Sequence, residues 1–321
     1  MSKFTICFVN KIYPIGGSGT FIQNFKSYLK KKKHIILELK KKNIDYIFIT
    51  GSNFRNVIPI IFKKLFGSKI INRVDGKNWT YKYKSSSKLN YIHSYLQNLN
   101  VLFFQLISDK IIYQSNYVKK TWQKKNLQNK SVTIYNASFP NYKKRNFDIR
   151  VKPVLISVEG SINSAFNSEK LIECIGENYR YEIYGKVSKD FKRYFSRKKN
   201  ITFHGEVSRN QIKKVLKKSK KYIFISLEMY PACPNSVIEA INHGIPVIGY
   251  NQGSMREIIK NGHGKLLDVD SNLNFSKSEF LNAIEQIKVN YKKFNLKLKY
   301  IDKKFKLNYM LKKYESEINK T

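Results

Sequence analysis

Acid is scarce in this 321-residue chain: 22 aspartates and glutamates stand against 61 lysines and arginines, for a formal charge of +39. Such an excess points to an anionic partner, either nucleic acid or a membrane surface, or to drift toward lysine in a chain also heavy in asparagine and isoleucine. Arginine is scarce as well. Only nine of the basic residues are arginine, the side chain whose planar fork suits phosphates and base edges. The basic residues are also spread along the whole length, so no dedicated nucleic-acid module is expected. Cysteine amounts to Cys7, Cys174 and Cys233, far apart and odd in number, which excludes a disulfide framework and suits a reducing compartment. The five histidines include no paired HExxH spacing, and no structural metal is expected. Long apolar runs are missing: residues 57–62 and 101–107 fall far short of the ~18 that a membrane span needs. Residues 1–10 lack the apolar length of a signal peptide. The expected location is cytoplasmic, with peripheral contact to the inner membrane face as the placement that the positive charge favours.

What is present is a regular alternation. Apolar runs of strand length fall at 4–9, 46–50, 70–74, 110–113 and 132–135, separated by helix-length segments at 20–31, 56–66 and 88–108. Residues 34–39 read either as a short strand or as loop, because lysine-rich flanks blur the period. The second half repeats the pattern, with strands at 154–158, 181–184, 201–204, 222–225, 247–250 and 265–267 and helices at 169–175, 209–219, 237–243 and 280–289. That alternation predicts α/β architecture with parallel sheets. The last helix opens on Ser276-x-x-Glu279, a capping box. A polar, basic stretch at 136–153 holding Pro140 and Pro153 reads as a linker. Two domains follow, residues 1–150 and 151–321, the second ending in charged amphipathic helices over 290–321.

One segment concentrates the chemical signals. Around Pro231–Tyr250 the sequence reads as strand, loop, helix, tight stop and strand, with Asn235 placed as N-cap, Gly244 as the residue beyond the helix end, and Pro246 barring continuation. A helix beginning just past the carboxyl end of a strand offers free N–H groups and a positive dipole end, where open α/β sheets bind phosphate. Glu239, one turn in, is placed either to accept hydrogen bonds from vicinal hydroxyls or merely to complement the dipole. A second segment, Gly16-Gly17-Ser18-Gly19, follows the first strand and precedes a helix capped by Ser18 or Thr20. Its spacing is neither GxGxxG nor a P-loop, and it reads as a phosphate- or sugar-facing loop or as a plain turn. A third, Arg73-Val-Asp75-Gly76, puts Asp75 at a strand's carboxyl end, as a cleft-facing acid or as a turn residue.

The run Cys233-Pro-Asn-Ser-Val-Ile-Glu239-Ala-Ile-Asn-His-Gly244-Ile-Pro-Val-Ile248 resembles the donor-site signature of the family-four glycosyltransferases (glycosyl transferases group 1). That resemblance implies a GT-B fold: two Rossmann-like domains facing across a cleft, acceptor side first and nucleotide-sugar side second, with a helical tail. It implies that Glu239 holds the nucleotide ribose and that the amides of Asn235, Ser236 and Val237 face the diphosphate. Gly16 and Gly17 would face the donor from the other domain. Asp75 would contact the transferred sugar or the acceptor, and Arg73-Val-Asp-Gly resembles a subset of the family in which Ser115 and Asn136 shape the cleft. Gly205 and Val207, in Phe203-His-Gly-Glu-Val207, resemble the loop that packs on the nucleobase. The sequence departs from the family at Pro231, where a glutamate eight positions before Glu239 is usual; Glu228 is the nearest substitute and is assigned with Asp75 to catalysis. It departs again at Glu159-Gly-Ser-Ile, where Gly-Arg is common, which leaves Lys170, Lys186 or helix N-termini to neutralise the diphosphate. Leu266-Leu-Asp268-Val-Asp270 imitates a metal-binding Asp-x-Asp but fits a surface turn.

The activity so implied is retaining, metal-independent hexosyl transfer with no cofactor, from a nucleotide-sugar donor to a glycan or lipid-linked hydroxyl acceptor in cell-surface glycan or polysaccharide biosynthesis. The alternatives are another GT-B enzyme, a nucleotide-sugar epimerase or a phosphorylase, and more remotely a basic nucleic-acid-binding protein.

Overall fold

The computed structural model describes residues 3–10, 17–78, 88–122, 125–145, 148–162, 168–218, 220–260, 262–270 and 274–321. Its contacts divide the chain into two units, residues 1–136 with 308–321, and residues 137–307.

In the first unit, β1 (Thr5–Phe8), β2 (Ile35–Leu37), β3 (Tyr46–Thr50), β4 (Lys69–Val74), β5 (Lys110–Tyr113) and β6 (Ser131–Thr133) form one parallel sheet in the order β2-β1-β3-β4-β5-β6. The segment that read as strand or loop is strand β2, at the sheet edge. Helices α1 (Gly17–Lys31), α2 (Val57–Leu65), α3 (Lys88–Ile107) and α4 (Asn116–Trp122) connect the strands. Both faces of a parallel sheet are covered, so a central strand such as β3, Tyr-Ile-Phe-Ile-Thr, carries a continuous apolar run. Ile47 and Ile49 pack with Ile60 of α2 and Phe104 of α3, while Phe48, pointing to the other face, meets Phe21 and Phe25 of α1. Because α1 begins at Gly17, Ser18 and Thr20 lie inside the helix rather than capping it.

The second unit holds β7 (Val154–Ile162), β8 (Tyr181–Val187), β9 (Ile201–Gly205), β10 (Tyr222–Ile225), β11 (Val247–Tyr250) and β12 (Gly264–Leu267), parallel in the order β12-β11-β10-β7-β8-β9. The order reverses between β7 and β10, the switch point at whose carboxyl ends open sheets bind ligands. Around it run α5 (Ser168–Ile175), α6 (Lys189–Tyr194), α7 (Arg209–Lys217), α8 (Asn235–Asn242), α9 (Met255–Ile258), α10 (Lys277–Val289) and α11 (Tyr291–Lys297). Phe280, Ile284 and Ile287 of α10 are buried in the core, as their spacing predicts. The capping box at α10 is half-formed: Ser276 accepts from the Glu279 amide, but Glu279 accepts from the Asp268 amide instead of answering. The reciprocal box sits at α7, where Gln211 N–H donates to Ser208 Oγ at 3.3 Å and Ser208 N–H to Gln211 Oε1 at 2.7 Å.

The last helix, α12 (Leu307–Asn319), belongs with the first unit, and residues 137–150 belong with the second. This differs from the division at 150/151 expected from the sequence. The apolar side of α12 explains it: Tyr314 is fully buried against Phe21, Phe25 and Phe48, and Glu315 takes hydrogen bonds from Tyr28 at 2.6 Å and His34 at 3.0 Å.

Candidate functional site

In the second unit the loop from β10 to α8 carries the motif. Pro234, extended at φ −68° and ψ 119°, is the N-cap of α8 and offers no side-chain cap. Asn235 is therefore the first helical residue, not the cap expected for it. The first helical hydrogen bond runs from Ile238 N–H to Pro234 O, so the amides of Asn235, Ser236 and Val237 precede it and find no backbone acceptor among the described residues. Such amides, at the positive end of the helix dipole, suit a phosphate. Asn235 and Ser236 are half-buried and Val237 is buried.

The far end of α8 is held firmly. Gly244, at φ +74°, closes it with Gly244 N–H to Ile241 O and Ile245 N–H to Ala240 O, both 3.0 Å, the paired bonds of a left-handed helix end. A Cβ on Gly244 would lie 2.7 Å from Asn295 Nδ2 and 3.0 Å from Lys143 O. Arg145, in the stretch read as linker, is buried and donates to Leu216 O at 2.6 Å, to His243 O at 2.7 Å and to Lys218 O. One guanidinium thus satisfies carbonyls at the ends of both α7 and α8. His243 Nδ1 lies 2.7 Å from Glu239 O. A carbonyl only accepts, so that nitrogen carries the proton, and burial depresses the imidazole pKa to keep the ring neutral.

Glu239 is not a lone dipole partner. Its Oε1 accepts from Arg209 Nη2 at 2.7 Å, with the glutamate side chain 14% and the arginine 29% exposed. Arg209 opens α7, just beyond Gly205 (φ +70°) at the end of β9 and the half-buried Val207. The structure therefore brings the expected nucleobase loop and the expected ribose carboxylate together. Tyr184 and His204 stack beside this loop, centroids 4.2 Å apart at 3°.

Glu228 lies elsewhere in the same unit. Glu159, at the end of β7, accepts from Leu227 N–H at 3.3 Å, which sets Glu159 and Glu228 together at the β7/β10 switch point. Burial pushes both carboxyls well above the ordinary glutamate range, and the Glu228 charge raises Glu159 further. The bulge between Val158 and Ser161 re-aims Glu159, and Gly185 is needed opposite, since a Cβ there would meet Glu159 O at 2.1 Å. Pro231, at the family's glutamate position, accepts from Ser254 N–H at 2.9 Å and is covered by Gly253, where a Cβ would lie 2.6 Å from it. Lys170 instead reaches Asn274 Oδ1 at 3.0 Å. Asp270 closes a turn by accepting from Asn274 N–H at 2.8 Å, and no group of three or more metal-ligating side chains occurs among the described residues. A cavity of about 520 Å³ between β12, α10 and α11, lined by Lys260, Lys265, Lys293 and Lys297, involves none of these residues.

In the first unit Asp75 sits at the end of β4, its side chain 42% exposed. Arg73 Nη1 approaches its Oδ1 at 3.3 Å, and Trp122 Nε1 donates to its carbonyl at 2.9 Å. Even at this partial exposure, desolvation raises the Asp75 carboxyl above the ordinary aspartate range, and Arg73 opposes the rise. Arg73 is itself buried over the Phe21 ring at 4.4 Å and donates to Asn136 Oδ1 at 2.7 Å, while Asn136 donates to Gln114 at 2.9 Å. Ser115 caps α4 through Val118 N–H at 3.1 Å. Gly17 is the exposed first residue of α1, and Gly16 lies outside the described residues. Arg209, Arg145 and Glu159 carry contacts that no sequence motif announced.

Residues 166–288, all within the second unit, match the family model described as Glycosyl transferases group 1. Over those residues the second unit is similar to that family. Solved structures agree on the fold of the whole chain. It is similar to sucrose-phosphate synthase from Thermosynechococcus elongatus (TM-score 0.76, 11% identity, 99% of each chain covered). It is similar to a glycosyltransferase from Rickettsia africae (TM-score 0.70, 17% identity, 100% of this chain and 99% of that one). It is also similar to Anabaena HepE in complex with UDP and glucose (TM-score 0.69, 10% identity, 99% and 100%). No curated relative matches by sequence. The chain thus has the GT-B fold, with the helical C-terminal segment expected for it.

Proposed function

We propose that this glycosyltransferase moves a sugar from a nucleotide-sugar to a hydroxyl acceptor, with retention and without a metal, in the building of a cell-surface glycan or polysaccharide. The observation that carries this reading is the α8 entry: three unpartnered amides one turn before a carboxylate already aligned by Arg209 beside the β9 loop. Glu239 accepts from the ribose hydroxyls, the amides of residues 235–237 bind the diphosphate, and Gly205 and Val207 pack on the base. Stabilising the departing diphosphate with preorganised N–H groups is the main catalytic contribution. Asp75 contacts the transferred sugar or the acceptor, and Glu228 serves the sugar end of the donor. HepE was solved with UDP-glucose and with UDP, and starch synthase IV from Arabidopsis thaliana with ADP and acarbose, which supports a nucleoside-diphosphate sugar as donor. The charge of +39 supports a peripheral placement at an anionic membrane, where a lipid-linked acceptor is reached.

Thermal shift against UDP, ADP, GDP and their sugars tests the donor. Stabilisation by at least one is expected, and none by any would sink the proposal. Glu239→Ala should weaken nucleotide binding on the order of tenfold, the loss of a charged hydrogen bond; unchanged affinity removes the ribose role. Free nucleoside diphosphate released only when an acceptor is present separates transfer from epimerisation.

A further inference from the structure

Helices α2 and α3 cover the same face of the first sheet, each contributing a fully buried side chain, Ile60 and Phe104, to one core. Asn53 N–H, ahead of α2, donates to Asn100 Oδ1 of α3 at 2.7 Å, and Lys64 of α2 binds Asp109, just past α3, at 2.7 Å. A surface helix of this kind ordinarily turns polar residues outward. Here the outward sides are apolar. On α2, Ile58, Ile61, Phe62 and Leu65 recur at i, i+3, i+4 and i+7, with Ile58 80% and Leu65 78% exposed, and Phe66 follows. On α3, Leu89, Ile92, Leu96, Leu99 and Leu106 form a second exposed row, flanked by Tyr91 and Tyr95. Single exposed apolar residues need no explanation, but two adjoining helices exposed in this way mark an interaction surface.

Charge decides what covers it. Neither helix contains an acid; Arg55, Lys69 and Lys88 are exposed beside or on them and Lys63 is half-buried, while the Asp109 carboxylate is already paired with Lys64. We propose that the α2–α3 face is the surface by which the protein docks on an anionic lipid bilayer. The leucine, isoleucine and phenylalanine side chains enter the headgroup–acyl boundary, Tyr91 and Tyr95 sit at headgroup level, and the surrounding lysines meet lipid phosphates. A second copy is a poorer occupant, because a twofold contact would set this basic surface against itself. Among the described residues no helix is long and apolar enough to cross a membrane, so the helices lie along the interface. The proposal names the surface behind the peripheral placement given above and does not depend on the donor-site assignments.

The test compares the full chain with a Phe62→Ser/Phe66→Ser/Leu89→Ser/Leu96→Ser variant, all four sites exposed. Both are co-sedimented with vesicles of phosphatidylcholine and of phosphatidylcholine with about one-third phosphatidylglycerol. The native chain should partition to the anionic vesicles and the variant on the order of tenfold less, with far-UV circular dichroism and nucleotide thermal shift unchanged. Equal binding by the variant, or binding indifferent to phosphatidylglycerol, overturns the proposal. So does a native dimer that the variant dissolves, which would give the face to a second copy. Failure of the donor assignment shows separately, as no nucleotide shift in either protein.

Discussion

The two sheets share strand number and parallel sense, yet they finish their carboxyl ends in different ways. At the end of β4 the first unit pairs side chains with one another, leaving Arg73 Nε without a partner: Arg73 bridges Asp75 and Asn136, and Asn136 continues to Gln114. At the ends of β7 and β10 the second unit leaves backbone amides open at the α8 entry and sets two carboxyls together. Groups already paired can orient a ligand but gain little by binding it, whereas unpaired amides gain a full hydrogen bond. Under the function proposed above, the difference gives tight binding to the second unit and positioning to the first.

The largest blow to this comparison is removal of residues 308–321. Tyr314, Met310, Leu311 and Ile318 are buried, and side chains of this size are worth ~1.5–3 kcal/mol each. The first sheet should lose hydrogen-exchange protection while the second keeps its own; uniform loss across both would show that the units do not fold separately. Next is Arg145→Ala, confined to the second unit. It strands carbonyls of Leu216, Lys218 and His243, and about 3–5 kcal/mol of stability should go, read as an urea midpoint with the first unit's protection unchanged. The smallest effect sharpens the contrast by pH. The Glu159 carboxyl is raised by burial and by Glu228 from an ordinary value of 4.5. Folded protein therefore holds that proton when unfolded chain has lost it, so stability is full below about pH 4.5 and declines as pH rises toward neutrality. Glu159→Gln should flatten this decline by on the order of 1–2 kcal/mol at pH 8 and change little at pH 4, measured by denaturation across that range.

Much of the fold was legible because period and run length are local. Strands such as 46–50, 110–113, 222–225 and 247–250 stand where the apolar runs place them. Short helices α4, α6 and α9 escaped because four to seven residues hardly establish a period. α12 was legible as a helix but not in its allegiance, since Tyr314 completes an aromatic cluster whose other members, Phe21 and Phe25, lie near the opposite end of the sequence. The site divides similarly. Glycine at 244 and glutamate at 239 show in the sequence, because turn chemistry and motif spacing are local. The Arg209–Glu239 pair and the grip of Arg145 on two helix ends are not, because each joins elements distant in sequence that only the sheet order brings together.

Synthesis gives the return of α12 a further meaning. As the chain leaves the ribosome the first sheet emerges early, but the side of Phe48 waits for Tyr314, after the whole second unit has been made. For that interval Phe21, Phe25 and Phe48 lack a neighbour that the finished protein always supplies, a stretch of vulnerability to chaperones and proteases. The chain completes its beginning last.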